Sequence, residues 1–199
     1  MPTRSSRFSL LAFTILFILA SKFAEAHIGT GTAHGGGFMA GFTHPLTGID
    51  HLLAMLSVGI WSAQTGGKTF WLAPLSFVVM MIVGGILGMS GLGPSPFETG
   101  IAASVIVLGL AIATAWRPSP LIGGSLCGLF ALIHGHAHGT EMALTASPAL
   151  YSLGFVLATV MLIATGIAMA LTMRRFKIEN AAAWVGGGVA AVGFALLLM

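Results

Sequence analysis

Long apolar runs broken by short polar turns limit what this chain can fold into more than any other feature. Six stretches, 38–61, 70–89, 101–116, 121–138, 149–173 and 181–199, run close to the ~20 residues a helix needs to cross the hydrocarbon core of a bilayer. None alternates polar and apolar residues as a barrel strand would, so the backbone must satisfy its own hydrogen bonds as helices. Only 7% of the 199 residues are charged, against roughly 25% in a soluble domain. The pattern predicts an all-α integral membrane protein, a six-transmembrane-helix bundle.

A segment of another kind precedes the first span. Residues 1–26 carry Arg4 and Arg7, an apolar run over 8–20, and then Ala24-Glu25-Ala26. This is the sequence of n-region, h-region and cleavage site of a secretory signal peptide. The chain is therefore expected to divide into a signal peptide, 1–26, and a transporter-sized membrane domain, 27–199. An uncleaved first helix is the alternative. Cleavage removes Arg4, Arg7, Lys22 and Glu25 and leaves five basic and four acidic residues, a net charge of +1. A charge that small excludes a nucleic-acid partner.

With six spans starting outside, Lys68, Arg117, Arg174, Arg175 and Lys177 all fall in cytoplasmic turns, and the outer loops hold no Lys or Arg. This distribution obeys the positive-inside rule. It predicts a multi-pass protein of a bacterial inner membrane with both mature termini periplasmic. Gly84/Gly88 and Gly124/Gly128 would let helices pack closely. Shifting the chain by 87 residues also lays Gly36, Gly37, Gly41, Gly48, His51 and Met55 onto Gly123, Gly124, Gly128, Gly135, His138 and Met142. Two three-helix halves related in this way would be inverted in the membrane, a common transporter plan.

Two polar clusters interrupt the apolar runs: HPLTGIDH, His44 to His51, and HGHAHGTE, His134 to Glu141. Ionisable groups at membrane depth are costly and mark function by default. His51 lies 13 residues from Gln64 at the inner end of its span, about 20 Å. His134 lies 17 residues from Arg117, about 25 Å. Both clusters therefore sit in the outer half of the bilayer, at heights that can meet.

His44 and His51 are seven residues apart and share a helix face. Pro45 disfavours a helical conformation at His44, and Gly48 follows, so this span is expected to begin broken. Asp50 could bind a metal itself or accept the second ring proton of a ligating histidine. His134, His138 and Glu141 form one stripe, while His136 points about 200° away. Imidazole with carboxylate suits Zn, Ni, Co or Cu better than Ca or Mg. Cys127 is the sole cysteine, so a thiolate cage is excluded and the site is of a kind that can release its ion. A purely hydrogen-bonded polar cluster is the bland alternative. His27 would head the mature chain, where its α-amine and imidazole could chelate together; His34 is a weaker candidate of the same kind. Met55 and Cys127 read as packing, and Glu98 as a helix-entry charge.

The motifs also carry a resemblance. HPLTGIDHLLAM, His44 to Met55, resembles the His-x5-Asp-His motif of the HupE/UreJ family of nickel permeases. HGHAHGTE resembles that family's second motif, on its fourth helix, with Ile133 standing where the pattern often has Phe. The resemblance implies secondary uptake of Ni²⁺, alternatively Co²⁺, for hydrogenase or urease maturation. The metal would be cargo, no cofactor would be permanently bound, and the protein would not be an enzyme. The metal-ligating set on this reading is His44, Asp50, His51, His134, His138 and Glu141, with His27 outside the membrane. The partners are the divalent ion and the lipid bilayer, with a homo-oligomer left open. No nucleotide-binding P-loop is present. Two rivals share the residue types: a zinc-dependent intramembrane hydrolase, though HExxH and G-x-S-x-G are absent, and a bis-histidine haem protein, which leaves Asp50 and Glu141 unexplained.

N-terminal sequencing of membrane-purified protein is expected to start at His27; an intact Met1 would contradict cleavage.

Overall fold

The computed structural model describes residues 37–91, 97–141, 147–178 and 180–199. The expected signal peptide, His27 and His34 lie outside the described residues. Every regular element among those described is helical: α1 Phe38–Thr47, α2 Ile49–Thr65, α3 Thr69–Met89, α4 Phe97–Ala113, α5 Pro120–Glu141, α6 Pro148–Arg175 and α7 Ala181–Leu197.

Each expected span folds as helix; α4 runs Phe97–Ala113 where 101–116 is expected, and two further departures concern the histidine clusters. The first span is two helices, α1 and α2, bent by 82°. The break falls at Gly48, whose backbone is extended (φ −80°, ψ 118°), and not at His44, which is helical. Pro45 forfeits only one backbone bond in a ten-residue helix. Thr47 Oγ1 donates to the His44 carbonyl (2.9 Å), as does the Gly48 N–H (3.3 Å), closing the last turn. The second departure is α5, which continues three residues past the expected end at His138 to Glu141. Thr140 Oγ1 bonds the Ala137 carbonyl at 2.6 Å there, and Gly139 nests against the α3 backbone.

Among the described residues, α3, α5 and α6 are each long and apolar enough to cross a membrane, and α1 and α2 are so only when taken together as one bent unit. The apolar helices α4 and α7 have 17 residues each, about 25 Å of rise.

Three pairings dominate the packing: α3 with α5, α4 with α7, and the α1/α2 unit with α6. Exchanging α1/α2, α3 and α4 in order for α5, α6 and α7 maps these pairings onto one another. The exchange is imperfect locally. Gly135, the counterpart of Gly48 at a shift of 87, lies inside a continuous helix.

Glycine makes these crossings. A Cβ on Gly84 would overlap the Leu132 carbonyl, one on Gly88 the His136 carbonyl, and one on Gly135 the Met81 carbonyl. Gly59 and Gly166 serve the α2–α6 crossing in the same way, and Gly41 and Gly154 the α1–α6 crossing. In lipid, where apolar surface gains little from burial against another helix, such backbone approach supplies the dispersion contacts that hold helices together. The interior beneath is apolar: Met55, Val58, Trp61, Phe77, Leu108 and Ile112 are all fully buried. At the C-terminal end of α2 Trp61 Nε1–H donates to the Trp116 carbonyl (2.9 Å) and Gln64 Nε2–H to the Ile112 carbonyl (3.1 Å), fastening α2 to the end of α4.

Gly135→Val is expected to cost about 1–3 kcal/mol or more by overpacking. Gly187→Ala, where a Cβ meets nothing within 4 Å, is expected to be neutral or stabilising by up to about 1 kcal/mol. Thermal unfolding in detergent and membrane levels measure both.

Candidate metal centre

The 82° break determines how the first cluster is presented. Gly48 ends α1 and starts α2, so His44 arrives on one helix and His51 on another. Asp50 lies in the first turn of α2, where a carboxylate is favoured by the helix dipole. Its Oδ1 accepts the His51 backbone N–H (2.8 Å) and faces His51 Nδ1 at 2.5 Å. Gly48 leaves room for this: a Cβ there would lie 2.9 Å from both Asp50 Oδ1 and His51 Nδ1.

From α5, His134 and His138 face the same point. The ring centroid of His138 lies 4.1 Å from that of His51 and 4.5 Å from that of His44; His51 and His134 are 5.1 Å apart, and His44 and His51 6.0 Å. His51, His134 and His138 are buried, and His44 is half-buried. His136 turns away and stacks on Phe97 of α4 at 4.3 Å. Glu141 closes α5, and its side chain lies outside the described residues. His27 is outside them too.

Hydrogen bonding orients two of the rings. His134 Nδ1 is 2.9 Å from the Phe130 carbonyl, which can only accept, so Nδ1 carries the proton. The Asp50 carboxylate imposes the same tautomer on His51. A ring protonated at Nδ1 alone has its lone pair on Nε2, and both Nε2 atoms are buried without a hydrogen-bond partner among the described residues. Buried polar atoms are nearly always paired, so two orphans on touching rings need an explanation. Tethering one ring nitrogen to a carboxylate or carbonyl while the other stays open is how proteins prepare imidazole for a metal. Among the described residues no three His, Cys, Asp or Glu side chains already stand in ligating arrangement. The His44–His51, His44–His138 and His51–His134 ring pairs pack edge to face, and His51 and His138 are tilted by 59°.

Aromatic groups absent from the sequence reading wall the cluster. Phe155 on α6 lies 4.5 Å from His138, Tyr151 6.2 Å from His44, and Phe77 on α3 6.1 Å from His134. Tyr151 is the only tyrosine of the chain, a signal that could have singled it out; the two phenylalanines carry none in an apolar sequence. His138, Met81 and Tyr151 also line a cleft between α3, α5 and α6. Met55 and Cys127 belong to the apolar core beneath, and Glu98 is exposed in the first turn of α4.

These features define an all-helical, multi-pass membrane protein with a buried imidazole–carboxylate cluster between its helices. A family model described as HupE / UreJ protein matches residues 15–196. Protein HupE of Rhizobium leguminosarum bv. viciae is 37% identical over 193 residues, covering 97% of this chain and 99% of that relative. The chain belongs to the HupE/UreJ family, as the two motifs led one to expect. No solved structure matches it.

Histidine-selective nitrogen NMR is expected to show the Nδ1-protonated tautomer for both His51 and His134. Asp50→Asn should disturb the His51 signal and spare that of His134.

Proposed function

We propose that this chain is a six-span secondary permease that carries a divalent transition-metal ion, Ni²⁺ with Co²⁺ as the alternative, inward across the inner membrane. The nickel and cobalt transport that family membership implies agrees with the chemistry of the cluster. The observation that carries the reading is the pair of orphan Nε2 lone pairs on His51 and His134, at the centre of four converging imidazoles. His44, His51, His134 and His138 supply the nitrogens, and Asp50 and Glu141 the negative charge that offsets a dication in a low-dielectric site. His27, as a free N-terminus, would gather ions outside. The two halves would be inverted three-helix units with the site between them.

A hydrated dication entering the cluster exchanges waters for imidazole nitrogens already held in the required tautomer, which lowers the cost of ordering the ligands. Nitrogen and oxygen donors without thiolate bind such ions with moderate strength, and release is as necessary to transport as capture. With no P-loop in the sequence, a gradient or intracellular trapping would drive uptake. The zinc hydrolase alternative has no support in the family. A purely hydrogen-bonded cluster would be expected to pair its buried nitrogens.

Uptake of radioactive nickel and cobalt by cells expressing the chain tests this. His44→Ala, Asp50→Ala, His51→Ala, His134→Ala, His138→Ala and Glu141→Ala are each expected to lower uptake at least about tenfold at matched membrane levels, the scale on which loss of a ligand or its orienting partner acts. His136→Ala, directed at Phe97, should retain most of it. Normal uptake in well-expressed variants of the first group would refute the shared site. An inactive His136→Ala, still present in the membrane, would require the site to be redrawn.

A further inference from the structure

At the opposite end of the bundle from the imidazoles, the ends of α2 and α6 and the start of α7 enclose a basin of about 630 Å³, within the usual range of roughly 300–1,000 Å³ for small-molecule sites. Arg117, Arg174 and Lys177 line it together with the Asn180 amide, and among its described lining residues there is no carboxylate. The rest of its lining is mixed: Ile60, Met173 and Ile178 stand beside Gln64 and Thr65.

Among the described residues three non-glycine positions have positive φ: Ala115 (51°), Lys177 (48°) and Asn180 (58°). Lys177 and Asn180 line the basin, and Ala115 stands two residues before Arg117. Left-handed helix ends ordinarily use glycine; an L side chain there carries a steric cost, and such outliers concentrate at functional sites. The rim is also braced. The Trp61 indole stacks on Trp116, 5.7 Å between centroids, and bonds its carbonyl, which immobilises the residue before Arg117.

We infer that this basin binds the headgroup of an anionic phospholipid. Three cations converging from two separate turns exclude a metal cation as ligand and select an anion. The apolar part of the lining, Ile60, Met173 and Ile178 beside the cations, suits the glycerol and upper acyl portion of a lipid better than a free ion. The position at the ends of membrane-spanning helices places the cations at the depth of lipid phosphates. Basic pockets of this kind on the cytoplasmic side hold acidic headgroups. Nothing in this inference depends on the transport reading.

The test uses full-length protein, delipidated in neutral detergent and titrated with phosphatidylglycerol, phosphatidylcholine or inorganic phosphate. Native mass spectrometry and thermal unfolding are the readouts. Phosphatidylglycerol is expected to be retained and to raise the unfolding midpoint, while phosphatidylcholine and phosphate at equal concentration do neither. Arg117→Gln, Arg174→Gln and Lys177→Gln should each weaken phosphatidylglycerol binding about fivefold, and the triple variant about a hundredfold. Arg175→Gln, an exposed neighbour outside the lining, should change it less than about twofold by the same reasoning. Unchanged binding in the single variants would overturn the site, as would an equal loss in Arg175→Gln. Protection by phosphate alone would overturn the lipid assignment.

Discussion

Helix backbones in this protein touch because glycine lets them. Within a bilayer, burying a leucine against another helix gains little over burying it in lipid, so association rests on close contact, and here that contact is backbone on backbone. Gly84, Gly88, Gly135 and Gly139 interlock α3 with α5, and Gly109 with Gly186 draws α4 against α7. The α3–α5 crossing lies at the level of the histidines: Gly135 and Gly139 alternate with His134, His136 and His138 on one helix.

On that frame the cluster is arranged by two tethers. Asp50 holds His51, and the Phe130 carbonyl holds His134, each through Nδ1. A carbonyl orients a ring without adding charge, which matters where a net charge is costly. The one carboxylate described in the cluster sits at the start of a helix, where the dipole helps to hold it. Gly48 connects these features. By interrupting the first span it creates the helix start that favours Asp50, and by lacking a Cβ it leaves space for the carboxylate against His51.

Much of this was legible in the sequence. Helical spacing alone separated His136 from His134 and His138, and the structure puts Phe97 against the first and the imidazole cluster around the others. Breakage of the first span was legible, but its place was not. Pro45 is the stronger local signal, yet α1 tolerates it because one missing bond is a small loss beside the packing of α1 on α6 through Gly41 and Gly154. The end of α5 was misjudged for a related reason. Gly139 looks like a terminator in sequence and is instead a contact surface for α3.

Local composition determined the class of this protein: an apolar run with few charges has only the helix available to it in lipid, and ionisable residues within it stand out by their cost. The two motifs also identified the family. Only the tertiary structure decided which nitrogen of each ring stays open, because that depends on Phe130 and Asp50 lying where folding puts them. It alone brought Tyr151, Phe155 and Phe77 around the rings, and Arg117 to Arg174 and Lys177 across 57 residues or more of chain. Spacing along a helix can be read from sequence because its period is constant, whereas contacts between helices depend on crossings that no local period encodes.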